Sequence, residues 1–238
     1  IAELRNAGAR YVFLKTGAYR PADLARAILF ASRYKLDLLT VDGAGGGTGM
    51  SPWHMMNEWG MPPVYLHSLL YQFAQRLSNR GDYLPALAVA GGFSFEDHIF
   101  KGLAMGAPFV KLVGMARAPV AAAMVGKTIG RTIDTNKVPV YISRFGNSKD
   151  EIFVTAVELR RKLRDASFDQ IPTGALGLYT YYERLGQGLR QLMAGSRKFS
   201  LEHMSRNDIA SLTPEAAEVS GIRYIMDVDR EEVDSILG

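Results

Sequence analysis

Four short apolar runs recur in the first half of the chain, separated by segments with helical periodicity. Each run is continuously hydrophobic rather than alternating, which is typical of strands buried on both faces of a parallel sheet. Strands that alternate with helices at this spacing indicate βα units and an α/β fold. The four runs are Tyr11–Leu14, Leu36–Val41, Leu84–Ala90 and Phe109–Val113.

The polar and apolar pattern also predicts helices, two of which connect the strands. After Val113 the pattern is helical, apart from a strand signal in VPVYIS, residues 138–143. We therefore expect βα units over residues 1–133 and a helical C-terminal extension over residues 134–238. The predicted helices are Pro21–Tyr34, Ser94–Met105, Pro119–Thr132, Lys149–Asp165, Tyr179–Ala194 and Leu201–Asn207.

A glycine-rich segment, DGAGGGTGMSP, follows the second apolar run and extends from Asp42 to Pro52. Glycine tolerates positive φ and has no Cβ, so such a backbone can approach a flat or anionic ligand closely. The alternative is a flexible linker. A ligand site is favoured because the segment lies between a buried-type strand and a stretch rich in Trp and Met.

Composition is that of a globular protein, with 238 residues, 47% hydrophobic and 22% charged. The net charge of +4 is spread along the chain, which does not predict nucleic-acid binding and suits anionic cofactors or dicarboxylates.

No apolar stretch is long enough to span a membrane and no leader peptide is visible, so we expect a cytoplasmic protein. Because the chain starts at Ile1 inside an amphipathic pattern, we expect a missing start.

The chain contains no cysteine, which excludes disulfides, thiolate catalysis and iron–sulfur clusters ligated by its own residues. Its four histidines, His54, His67, His98 and His203, lack the close spacing of metal ligands. We therefore expect no metal site, and any redox chemistry has to come from a cofactor.

Candidate site residues follow the predicted strands, whose carboxyl ends gather at one edge of a parallel sheet. Lys15 follows the first strand, and its side chain either enters the site or reaches water. In a flavin site such a lysine would stabilise negative charge at the N1/C2 carbonyl edge of the reduced ring. Gly91–Gly92 and Gly114–Arg117 resemble paired phosphate-binding turns, although the first pair can also simply turn the chain. Arg117 could add a charged contact to the phosphate.

These motifs together resemble the FMN-binding domain of the glutamate synthase family, and its short stand-alone members in particular. LKTG is followed 27 positions after Lys15 by Asp42 and the loop GGGTGMSP, and then by a GG turn, EDHIFKGLAMGA and VGMARA. The tail YYERLGQGLRQLMAGSRKFSLEHMSRNDI is similar to the family's helical segment after the barrel. The resemblance covers residues 8–117 and about 179–210.

The resemblance implies that the chain supplies strands 5 to 8, the C-terminal half, of a (β/α)8 TIM barrel with a helical C-terminal extension. It implies FMN as cofactor and the reductive amination of 2-oxoglutarate to glutamate by hydride from reduced FMN. Lys15 is the implied catalytic residue and lies against the flavin. The implied cofactor-binding residues are Lys15, Asp42, Gly43, Gly45, Gly46, Gly47, Thr48, Gly91, Gly92, Gly114, Met115 and Arg117.

Three departures from the family pattern change the expected partners. The segment RAPVAAAMVGKTIGRTI replaces the Cys-rich segment of large glutamate synthases, so this chain ligates no iron–sulfur cluster. No amidotransferase domain is present, so ammonia comes free or from an amidotransferase subunit, and electrons come from a separate donor. Half a barrel also needs a missing N-terminal half or another copy in a homo-oligomer to cover its open sheet.

Two alternatives to this function remain open at the level of sequence. One is a flavoprotein of the same fold that acts on another amino or hydroxy acid, since fold does not determine substrate. The other is a non-catalytic structural or regulatory half barrel whose glycine loops serve folding alone.

Overall fold

A parallel four-stranded sheet forms the centre of the protein, whose computed structural model describes residues 1–17, 20–46, 54, 58–163 and 165–238. The strands lie side by side in chain order, and each begins one or two residues later than predicted. This arrangement confirms the predicted α/β fold with parallel strands. The strands are β1 (Phe13–Gly17), β2 (Leu38–Asp42), β3 (Ala86–Ala90) and β4 (Val110–Gly114).

Helices connect these strands and make up most of the chain after β4. Those up to β4 are α1 (Ala2–Asn6), α2 (Pro21–Arg33), α3 (Pro63–Asn79) and α4 (Glu96–Gly106). Those after it are α5 (Arg117–Asp134), α6 (Val140–Ser143), α7 (Lys149–Ile152), α8 (Ala156–Leu163), α9 (Asp165–Asp169), α10 (Thr173–Gly195), α11 (Pro214–Ser220) and α12 (Arg230–Leu237). Single 3-10 turns occupy Leu201–His203, Arg206–Asp208 and Ile225–Asp227.

Three predictions for the tail are wrong in detail. VPVYIS contains the helical turn α6, because the Pro139 carbonyl accepts hydrogen bonds from the backbone N–H groups of Ile142 and Ser143. The helix predicted over 149–165 is divided into α7, α8 and the start of α9, because Phe153 has an extended backbone that ends α7. The helix predicted over 201–207 is reduced to two 3-10 turns separated by the extended residue Met204.

The chain divides into two compact units. The first contains the sheet and consists of Ile1–Phe93, Asp97–Gly114 and Leu192–Gly238. The second is helical and consists of Ser94–Glu96 and Met115–Gln191. The predicted division at residues 133 and 134 stays a prediction. Among the described residues, no helix has both the length and the apolar character needed to cross a membrane.

One face of the sheet is buried and the other is partly exposed. Leu39, Val41 and Leu87 project from the buried face and are fully inaccessible to solvent. On the opposite face, Phe13 at the β1 edge is 61% exposed and Leu112 at the β4 edge is 51% exposed. The prediction that the strands are buried on both faces is therefore wrong for β1 and β4, because helices cover only one side of them.

Small residues bring two long helices of the second unit into close contact. An added Cβ on Gly126 of α5 would lie 3.0 Å from the Cα of Gly177 of α10.

In the same unit, Phe168 is fully buried beneath the guanidinium of Arg160, whose central carbon lies 4.3 Å from the ring centroid. Arg160 also donates to both carboxylate oxygens of Asp150, at 2.9 and 2.7 Å, so the ion pair has the bidentate geometry that restricts side-chain motion.

In the first unit, Arg206 ties the C-terminal tail to the helices around the sheet. Its guanidinium carbon lies 3.9 Å from the centre of the Tyr71 ring of α3. Its terminal nitrogens donate to the carbonyls of Met105, in the last turn of α4, and Ser220, the last residue of α11. Burial lowers the pKa of Arg206, but a guanidinium stays charged at neutral pH. The positive charge thus lies at the negative ends of two helix dipoles.

We expect Arg206→Ala to lower the free energy of unfolding by about 2–3 kcal/mol, because it removes two charged hydrogen bonds and a cation–π contact. Denaturant unfolding of the intact protein measures this change. Arg223→Ala is the matched control, since Arg223 lines the same cavity of about 410 Å³ but is exposed. Equal losses for the two variants would contradict the tethering role of Arg206.

Candidate active site

The carboxyl ends of the strands are level with one another, so the loops that follow them leave the sheet at one edge. Gly17 pairs with Asp42, Asp42 with Ala90, and Ala90 with Gly114. These positions are the last residues of the four strands. The sheet therefore brings together the beginnings of all the loops in which the sequence predicts site residues.

Lys15 and Asp42 form an ion pair at this edge, with 2.6 Å between Nζ and Oδ2. The Lys15 side chain is half exposed, whereas that of Asp42 is only 7% exposed. Lys15 is the central residue of β1, so its predicted position after the strand is wrong. The strand continues through Thr16 and Gly17 because both pair with β2, opposite Val41 and Asp42.

The described part of the glycine-rich segment begins as a tight turn held by main-chain hydrogen bonds. Gly43 N–H donates to the Ala90 carbonyl at 2.9 Å, and Ala44 N–H donates to the Met61 carbonyl at 2.7 Å. Gly46 N–H donates back to the Gly43 carbonyl at 2.9 Å, and an added Cβ on Gly46 would lie 2.7 Å from the Asp42 carboxylate. The turn thus folds over the carboxylate that binds Lys15.

The turn after β3 packs directly against this glycine-rich segment. An added Cβ on Gly91 would lie 2.8 Å from both the nitrogen and the carbonyl oxygen of Gly43, closer than any side chain allows. Gly91 and Gly92 both have positive φ, +100° and +88°, and the Cβ position of Gly92 faces open space. Backbone contact between the two loops therefore requires glycine at position 91.

Several predicted site residues lie together in the first unit, at the carboxyl edge of the sheet. They are Lys15, Asp42, Gly43, Gly45, Gly46, Gly91, Gly92 and Gly114. Met115 and Arg117 belong to the second unit, in which Arg117 is the first residue of α5. Gly47 and Thr48 lie outside the described residues. The chemical roles assigned to all these residues stay predictions.

His67 contributes to this region, although no sequence pattern singles it out. It lies on α3, one turn after Pro63, which contacts Gly43. Its ring stacks on Phe93, the residue after Gly92, with 5.6 Å between ring centres and 15° between planes. His67 is 3% exposed, and its Nε2 has no hydrogen-bond partner within the part of the chain that the structure describes.

Burial lowers the pKa of His67 from 6.5 to about 4, because the apolar surroundings disfavour the charged ring. The ring is therefore neutral at pH 7. As regards metals, no cluster of three or more His, Cys, Asp or Glu side chains occurs among the residues with described structure. The expected absence of a metal stays a prediction.

Comparison with known protein families is consistent with this geometry. The model described as the conserved region in glutamate synthase matches residues 1–144 of the 238. The chain belongs to this family. The match extends from α1 past the end of α5 and includes every strand. A comparison with curated proteins found no match.

Family membership confirms the predicted kinship with glutamate synthase and indicates an oxidoreductase of glutamate synthase type. The matched region includes Lys15, the described part of the glycine-rich segment and both glycine turns.

We expect Gly91→Ala to destabilise the protein by about 1–3 kcal/mol more than Gly92→Ala. Both substitutions place a Cβ on a backbone of positive φ, but only the one at position 91 collides with Gly43. Denaturant unfolding of the two variants measures the difference. Similar losses would show that the two loops can separate without a penalty.

His67 makes stability depend on pH. The unfolded chain binds more protons than the folded one between pH 6.5 and about 4, so stability falls as the pH decreases through this window. We expect wild type to lose about 3 kcal/mol more than His67→Leu between pH 7 and 4. His203→Leu is the control, because His203 is exposed. The prediction fails if wild type and His67→Leu show the same pH profile in denaturant unfolding.

Proposed function

We propose that this chain forms strands 5 to 8 of an FMN-binding (β/α)8 barrel in which hydride from reduced FMN converts 2-oxoglutarate and ammonia to glutamate. The observation that carries the proposal is the Lys15–Asp42 ion pair beside the two packed glycine turns. In a protein of the glutamate synthase family, this combination suits a flavin ring and its phosphate.

The exposed face of the sheet supports the barrel part of the proposal. In a closed barrel, one face of every strand points inward and is packed by side chains from the other strands. Phe13, Leu38 and Ala86 are paired across β1 to β3 on this face, and Leu112 extends it on β4. Such apolar side chains suit a barrel interior whose other half is a missing N-terminal half or another subunit.

The glycine turns fit a phosphate. Backbone N–H groups of consecutive glycines can approach an anion that side chains would otherwise block. Gly91 is fixed against Gly43, whereas the Cβ position of Gly92 is open and leaves room for a ligand. Gly114 ends the neighbouring strand, where an added Cβ would lie 3.0 Å from the Cβ of Ala90. We assign phosphate binding to Gly91, Gly92, Gly114, Met115 and Arg117.

Lys15 is the proposed catalytic residue. When bound, FMN supplies the hydride that reduces the imino acid. An ammonium group has three donors, so Lys15 can contact Asp42 and still donate toward the pyrimidine edge of the flavin. Asp42 fixes the position of the ammonium. The positive charge then offsets the negative charge that the flavin carries in its reduced state.

The glycine-rich segment is the proposed contact with the flavin ring and substrate. Gly43, Gly45 and Gly46 present main chain in place of side chains, and we assign the same role to Gly47 and Thr48. Because the chain has no cysteine, the electrons reach this site without a cluster ligated by its residues. We therefore include an electron-donor subunit in the proposal, and either free ammonia or an amidotransferase subunit as the nitrogen source.

The proposal is tested by FMN titration of the intact protein, followed through the flavin absorbance near ~450 nm. We expect Lys15→Ala to slow flavin reduction about tenfold or more while changing FMN affinity less than about threefold. Lys111→Ala is the control, since Lys111 is an exposed lysine within β4.

Absence of FMN binding by the intact wild-type protein would refute the flavin proposal. Equal losses of affinity and reduction rate in Lys15→Ala would instead refute the position of Lys15 at the ring edge. Conversion of 2-oxoglutarate and ammonia to glutamate, measured with chemically reduced FMN enzyme, tests the substrate separately.

A further inference from the structure

The segment after the Gly91–Gly92 turn is held at two successive residues. In the first unit, His67 stacks on Phe93. In the second unit, the hydroxyl of Tyr181 donates to the Ser94 carbonyl at 2.6 Å, although the two residues are 87 positions apart in the chain. The segment that leaves the turn is therefore anchored by tertiary contacts rather than by its own sequence.

Tyr181 lies on α10, which makes a second contact with the same segment. An added Cβ on Gly188, two turns further along α10, would lie 2.6 Å from the Cγ of Glu96. Glycine at this position lets the helix run close to residues 94–96. Tyr181 and Gly188 are on one side of α10, so this side of the helix faces residues 94–96.

The hydroxyl of Tyr181 keeps its proton at neutral pH and can therefore act as a hydrogen-bond donor. The side chain is partly buried, and burial, with the nearby Tyr182 and Glu96, raises its pKa above the usual value. The phenol is therefore protonated at neutral pH and remains a donor. Tyr182 is 49% exposed and contacts the Tyr181 ring edge-on at 5.6 Å, and within the described chain its hydroxyl makes no hydrogen bond.

We propose that Tyr181 is a positioning residue that holds the Gly91–Gly92 turn ready for a phosphate group through its hydrogen bond to Ser94. This inference rests on the proposed function for the identity of the ligand, the phosphate of FMN. Gly91 is packed against Gly43, but Gly92 has positive φ and an open Cβ position, so the end of the turn depends on the residues that follow it. Fixing the residues that follow lowers the ordering entropy lost on binding.

The test compares Tyr181→Phe with Tyr182→Phe in the intact protein, because each removes one hydroxyl and keeps the ring. FMN and riboflavin are titrated in parallel, since riboflavin lacks the phosphate. We expect Tyr181→Phe to weaken FMN about fivefold, the factor for a hydrogen bond of about 1 kcal/mol, and to leave riboflavin affinity unchanged. Tyr182→Phe should bind both flavins as wild type does.

Amide hydrogen exchange gives a readout that does not depend on flavin. We expect exchange in residues 91–95 to be about fivefold faster in Tyr181→Phe and unchanged in Tyr182→Phe. Unchanged exchange in Tyr181→Phe overturns the inference, whether or not the intact protein binds flavin. Absence of flavin binding is a separate result, which refutes the proposed function. Equal weakening of FMN and riboflavin also overturns it, because a merely structural loss does not select the phosphate.

Discussion

The contact of Gly91 with the backbone of Gly43 is the constraint on which the candidate site depends. It allows the loops after β2 and β3 to touch through main chain alone, at a separation that excludes any Cβ. The hydrogen bond from Gly43 N–H to Ala90 extends the β2–β3 pairing beyond the strands and into this contact. α3 then begins against the same glycine, since Pro63 lies beside Gly43.

A cation is placed beside this glycine contact by the regular register of the sheet. Lys15 projects from β1 and Asp42 ends β2, and the pairing of Gly17 with Asp42 puts the two residues diagonally across neighbouring strands. Because Lys15 is half exposed, the pair contributes little to stability, about 1 kcal/mol at most. The pair fixes a positive charge at the partly exposed face of the sheet.

The two residues that follow the Gly91–Gly92 turn each make a contact with a residue distant in the chain. His67 is kept neutral by burial and provides a flat surface for Phe93, at the expense of a buried nitrogen without a partner among the described residues. Tyr181 supplies a hydrogen bond to the next residue, Ser94. Glycine turns have little stiffness of their own, so their geometry depends on such packing.

The four parallel strands, the glycine-rich loops and the family were predictable from the amino-acid pattern, because continuous apolar runs and clustered glycines are local signals. It misplaced Lys15 after β1, since the strand's end is set by pairing with β2. It also predicted burial of both sheet faces, although Phe13 and Leu112 are exposed. Folding of the whole chain produces the Lys15–Asp42 pair, the fit of Gly91 against Gly43 and the contacts of His67 and Tyr181. These contacts join residues 26 to 87 positions apart, whose proximity depends on the packing of whole elements and leaves no local pattern.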